Sequence, residues 1–177
     1  LMGFDRDGGT AEGIGYWNYG FSRYVYAAFL LNRYTDKKLN LLEPTIVKEI
    51  AQFPVRIEMS VGNYPSFSDG GESNACPVGL LCYLSDELSL PELRAFAAAR
   101  MPETIGIGSL SGLFYESLVA ELPQRDVTRC GWKEYNYLSG VEWMISRVDA
   151  KDPNTLVVAA KGGRNDEPHN HNDVGNC

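Results

Sequence analysis

The hydrophobic repeat changes period once along this chain, and that change limits the folds open to it. From Ala11 to about Tyr34, residues Tyr16, Tyr24, Ala27, Ala28 and Leu31 recur at helical spacing. Asp7-Gly8-Gly9 is a turn signal ahead of Thr10, a predicted N-cap, while Gly13, Gly15 and Gly20 soften the first turns. Glu43-Pro44 opens a second predicted helix ending near Phe53. Gly62 to Asn74 reads as a long loop, and Pro77 to Leu84 as a short helix. Ser89 and Glu92 form a capping-box pattern for a helix to about Arg100, and another helix is predicted near Leu113 to Leu122. After Pro123 the pattern turns to strands. Tyr135 to Val148 predicts two of them around Ser139-Gly140, and Thr155 to Ala160 predicts another beyond the turn Asp152-Pro153-Asn154. Helices followed by strands give an α+β class, with the change near residues 124–134.

The chain has 177 residues, enough for one sizeable core with a small appendage. Its net charge of −7 argues against binding nucleic acid through phosphate neutralisation. The longest apolar stretch, Tyr24 to Leu31, falls far short of the ~20 residues that span a bilayer. The N-terminus lacks the pattern of a signal peptide, and the last residues are dense in reactive side chains, so the chain is expected to be a piece of a longer protein. Cys76, Cys82, Cys130 and Cys177 form no CxxC pair and are expected to be free or buried thiols.

Reactive side chains fall into three clusters. The first runs from Asp7 to Tyr19 and crowds Glu12, Tyr16, Trp17, Asn18 and Tyr19 onto a glycine-softened helix start. Rings stack on sugars and an amide can donate to a carboxylate; a plain aromatic core helix would also account for the pattern. The second, Asn63 to Gly71, carries Tyr64 and Asp69 on the loop. Tyrosine serves as an acid or base when neighbouring cations or hydrogen bonds lower its pKa; an ordinary surface turn is the other reading. The third, Gly162 to Gly175, holds both histidines of the chain. In an extended segment His169, His171 and Asp173 project to one side, where they suit either zinc or general-base chemistry.

Taken together, these clusters resemble the heparinase II/III-like polysaccharide lyases. Gly162-Gly163 followed by His169-Asn170-His171-Asn172-Asp173-Val174-Gly175 looks like the segment that opens that family's β-sandwich. Asp7-Gly8-Gly9, Glu12 and Tyr16-Trp17-Asn18 resemble its helical motif, and Tyr64 to Gly70 its tyrosine-bearing loop. The resemblance implies the C-terminal part of an (α/α) toroid over 1–128, then the start of an antiparallel β-sandwich over 129–177. It implies cleavage of a uronic-acid polysaccharide, such as alginate or a glycosaminoglycan, by β-elimination. Asn18 would neutralise the uronate carboxylate, with Tyr64 and His169 as acid and base; Tyr83 is the fallback for the tyrosine, since Asn18 to Tyr64 is shorter than the family's spacing. Glu12, Tyr16, Trp17, Tyr19, Arg56, Asp69, Arg164 and Asn170 would contact substrate. His171 would contribute to a structural zinc whose further ligands lie beyond Cys177. A secreted or periplasmic location and a homo-oligomer go with the same resemblance. The net acidity is tolerable for an anionic substrate because the local potential of the cleft decides. Two other readings compete. One is an (α/α)-toroid glycoside hydrolase using Glu12 and Asp69 as its carboxylate pair, which leaves the histidines unexplained. The other is a non-catalytic carbohydrate-binding remnant.

Overall fold

The computed structural model describes residues 1–73, 76–100, 126–164 and 166. The class is α+β: helices come first, then a 3-stranded antiparallel sheet in the order β1-β2-β3. No described helix is long and apolar enough to cross a membrane.

The first helical run is continuous but changes pitch. Helix α1 (Gly13–Tyr16) passes into a π-helical turn (Trp17–Phe21) and then α2 (Ser22–Tyr34). Thr10 is not the cap, because the left-handed Gly13 (φ 77°) bends the chain into the helix at Glu12. Helix α3 (Thr45–Ile57) starts just after Pro44 and runs past Phe53, with Pro54 in its last turns. Helix α4 (Val78–Leu88) is longer than expected and buried on nearly all sides, so it is the central helix. Ser89 is not the N-cap of the next helix. Its left-handed conformation (φ 56°) ends α4 and reverses the chain, and α5 (Pro91–Ala99) begins after Leu90 with no side-chain cap. The helix expected near Leu113 to Leu122 lies outside the described residues.

Strands β1 (Tyr135–Leu138), β2 (Trp143–Arg147) and β3 (Val157–Lys161) pair with Leu138 opposite Trp143 and Trp143 opposite Lys161. Alternation sends Leu138, Trp143, Ile145, Ala159 and Lys161 inward, and leaves Tyr135, Tyr137 and Val158 exposed on the outer face. The inner face joins the helices in one core, where Trp143 meets Phe53 and Phe67 at ring distances of 6.1 and 5.1 Å.

A buried carboxylate ties the two parts together. Glu58, directly after α3, is fully buried and pairs with Arg100 at the end of α5. Arg100 Nε donates to it at 2.6 Å, Gly62 N at 2.8 Å and the Trp132 indole at 2.9 Å. From β2, Arg147 donates to the Glu58 carbonyl and lies 4.6 Å from the Trp132 ring centre. A lone buried charge would be very costly; here each oxygen of the carboxylate has donors.

Candidate functional site

The loop before α1 is shaped by Asp7. Its carboxylate accepts from Gly9 N at 3.1 Å and, across to the β1–β2 turn, from Gly140 N at 3.0 Å and Ser139 Oγ at 3.1 Å. Partial burial raises its pKa, but these donors outweigh that and leave it below the usual carboxylate value. Gly8 is left-handed, and a Cβ there would lie 2.3 Å from the Glu49 carbonyl carbon, so no other residue fits. Arg56, expected as a substrate contact, is engaged by this scaffold. It donates to the Asp7 carbonyl at 2.7 Å and pairs with Glu49 at 2.5 Å.

The expected sugar-stacking rings separate. Trp17 is fully buried, and its indole N–H donates to the Ile50 carbonyl at 2.7 Å, so it is a core residue with no face for a ligand. Tyr16 is half-buried. Tyr19 is exposed, with the Arg23 guanidinium 3.7 Å from its ring centre. Asn18 is half-buried on the π-helical turn, where Ser22 Oγ donates to its carbonyl. Single π-helical turns within α-helices frequently mark functional positions.

The tyrosine loop is internally paired. Short bridges join Ser60 to Asn63 and Asn63 to Ser73, and Tyr64 N donates to Glu72 O at 2.8 Å. Gly70 N closes a turn onto Phe67 O at 2.9 Å, with Ser68 left-handed at φ 52°. Tyr64 is buried, and its hydroxyl shares a 3.3 Å hydrogen bond with Cys76 Sγ. Burial, then the adjacent thiol, pushes its phenol well above the usual value. That is opposite to the lowered pKa a tyrosine base needs. Burial pushes Cys76 up to about 12. Tyr64, Asn63, Ser66 and Glu72 line a cavity of about 580 Å³ with the β3 residues Val157 to Ala159. Asp69 stands exposed at the loop tip. Tyr83 is buried on α4 with its ring edge-on to Phe29 at 5.4 Å.

Described parts of the clusters meet. A Cβ on Gly13 would lie 3.5 Å from Gly70 Cα, so the helix start and the tyrosine loop nearly touch. Lys161, ending β3, donates to Ser68 Oγ at 3.0 Å. Glu12 and Arg164 line one cleft of about 260 Å³ with Asp5, Thr10 and Gly140. Arg164 also approaches Asp166 at 3.5 Å. Gly162 N donates to Glu142 O at 2.8 Å and Gly163 N to Glu142 Oε2 at 3.0 Å, which fixes how the chain leaves the sheet. His169, Asn170, His171 and Asp173 lie outside the described residues, as does Cys177. Among the described residues no cluster of His, Cys, Asp and Glu could hold a metal ion. Cys76, Cys82 and Cys130 are free and buried.

Sequence reasoning missed Lys161, Cys76 and Glu142 as parts of this region. For Lys161 the signal was present: strict alternation from Val157 puts it on the inward face. No protein-family model matches the chain, and a search of curated proteins finds no match.

Proposed function

We propose that the chain is part of a polysaccharide lyase that cleaves a uronic-acid polymer by β-elimination. The observation that carries this reading is that the helix start meets the tyrosine loop at Gly13–Gly70 and meets Arg164, at the opening of the third cluster, in the Glu12–Arg164 cleft. The Asn18 amide would donate to the uronate carboxylate and stabilise the enolate that forms when the C5 proton leaves. His169 would take that proton. The electron pair forms the C4–C5 double bond and expels O4, which Tyr64 would protonate. A phenol held well above its usual pKa is protonated at neutral pH, as a donor must be, and is a weaker acid than a free phenol. Arg164 would meet a substrate carboxylate. The toroid and sandwich belong to the same proposal. The exposed row Tyr135, Tyr137 and Val158 supports a second sheet packing on the outer face, as a sandwich requires.

The test is growth of near-ultraviolet absorbance from unsaturated uronate on alginate, heparan sulfate, hyaluronan and pectin. Growth abolished by Tyr64→Phe and His169→Ala supports the lyase. Survival in Tyr64→Phe moves the tyrosine role to Tyr83. A hydrolase is the second reading, favoured by the approach of Gly13 to Gly70, which brings the neighbouring Glu12 and Asp69 to one junction. It would yield new reducing ends without the chromophore. Silence in both channels would favour a binding remnant.

A further inference from the structure

Lys161 is almost wholly withdrawn from water, at 1% exposure, yet it is a lysine at the end of an edge strand. Its ammonium reaches Ser68 Oγ at 3.0 Å, spanning 93 positions of sequence. Ser68 is one of few non-glycine residues held left-handed, a conformation that costs free energy unless surrounding contacts fix it. The turn it belongs to is tight: a Cβ on Gly70 would lie 2.8 Å from Phe67 O. Phe67 in turn packs edge-on to Trp143, the β2 residue paired with Lys161. The turn is therefore gripped from two neighbouring strands, by an apolar ring and by a charged donor.

We propose that Lys161 is a positioning residue: its bond to Ser68 locks the turn 67–70, and so fixes the loop bearing Tyr64 and Asp69 against the strand that leads to His169. Lys161 lines neither the cavity beside Tyr64 nor the Glu12–Arg164 cleft, so it acts through the loop. The residues after it, Gly162 and Gly163, are pinned by Glu142. One short segment thus joins the tyrosine loop to the point where the chain leaves β3. The kinetic consequence rests on the lyase reading; the structural consequence does not.

The test compares wild type, Lys161→Met and Ser68→Ala by amide hydrogen exchange of the full chain, followed by mass spectrometry. Loss of the bond is expected to speed exchange of the 64–72 segment by about fivefold to tenfold, with α3 and α4 unchanged. Where wild type eliminates uronate, both variants are expected to lose kcat by about tenfold or more with KM little changed, since misplacement near the chemistry weakens transition-state contacts. Unchanged exchange at 64–72 overturns the proposal, as does faster exchange spread evenly over the core. Should Lys161→Met fail to fold, Ser68→Ala alone decides, because it removes the acceptor and keeps the lysine. Faster local exchange in the variants, with no lyase activity in wild type, would sink the lyase reading and leave the role of Lys161 standing.

Discussion

The indole N–H of Trp17 donates to the Ile50 carbonyl at 2.7 Å, the same carbonyl that Pro54 leaves without its helical partner. In an unbroken α3 the amide of residue 54 would reach back to residue 50, but proline has no N–H. The first helical segment fills that gap with a side chain. The π-helical turn begins at Trp17, so the change of pitch and the rescue of Ile50 meet at one residue. Trp17→Phe keeps most of the ring and removes the donor. It is expected to cost about 1–3 kcal/mol, the penalty of a buried unsatisfied carbonyl. Pro54→Ala restores a backbone donor, so the cost of Trp17→Phe should shrink in that background. Urea unfolding of the two single variants and the double variant measures the coupling.

Glu58 and Arg100 make a second test. Removing either leaves the other as a buried charge, at about 3–5 kcal/mol each. Removing both together should cost much less than the sum. Glu58→Ala should also loosen Trp132, whose indole loses its acceptor, visible as a change in tryptophan fluorescence. Additive single costs would mean that the pair is not coupled.

Much of the fold was legible because it rests on local pattern. The periodic apolar residues of α2 and the alternation of β2 and β3 survive in the structure, and so does the turn at Ser139-Gly140. What failed depends on partners distant in sequence. Trp17 reads equally as a stacking ring or a core ring, and only its contact with Ile50 decides. Arg56 reads as a free cation until Asp7, 49 positions away, claims it. Ser89 failed for a local reason: serine suits both an N-cap and, less often, a left-handed helix end, and only two residues separate α4 from α5. The motifs brought Glu12, Arg164 and the tyrosine loop to one region, but loop spacing carries no depth, so the burial of Tyr64 was out of its reach.

Asp7 predicts a pH dependence. Its folded pKa lies below the ordinary carboxylate value, so it stabilises the fold above the unfolded pKa of about 3.9 and loses that contribution as pH falls through the folded value. Asp7→Asn keeps one acceptor oxygen and loses the charge. At neutral pH the cost is expected to be about 1 kcal/mol, discounted for partial exposure. The stability difference between wild type and Asp7→Asn should then shrink on acidification below about pH 4. A difference that stays constant from neutral to acid would show that the carboxylate charge is not what Gly140 and Ser139 hold.

The Tyr64–Cys76 pair joins stability to the proposed chemistry. With its thiol raised to about 12, Cys76 is thiolate in roughly one molecule in ten thousand at pH 8, so iodoacetamide should label it only through opening of the fold. Peptide mapping of native and urea-unfolded protein measures this, and Cys82, raised to about 11, should behave alike. Cys76→Ala removes the partner of the phenol and is expected to cost about 1 kcal/mol or more. In a lyase the consequence for rate has a definite sign. Tyr64 as donor must be protonated, and its raised pKa places loss of activity above about pH 10. An acid limb near neutral pH is what a histidine base gives. An alkaline limb below about pH 9 would count against Tyr64 as the buried donor.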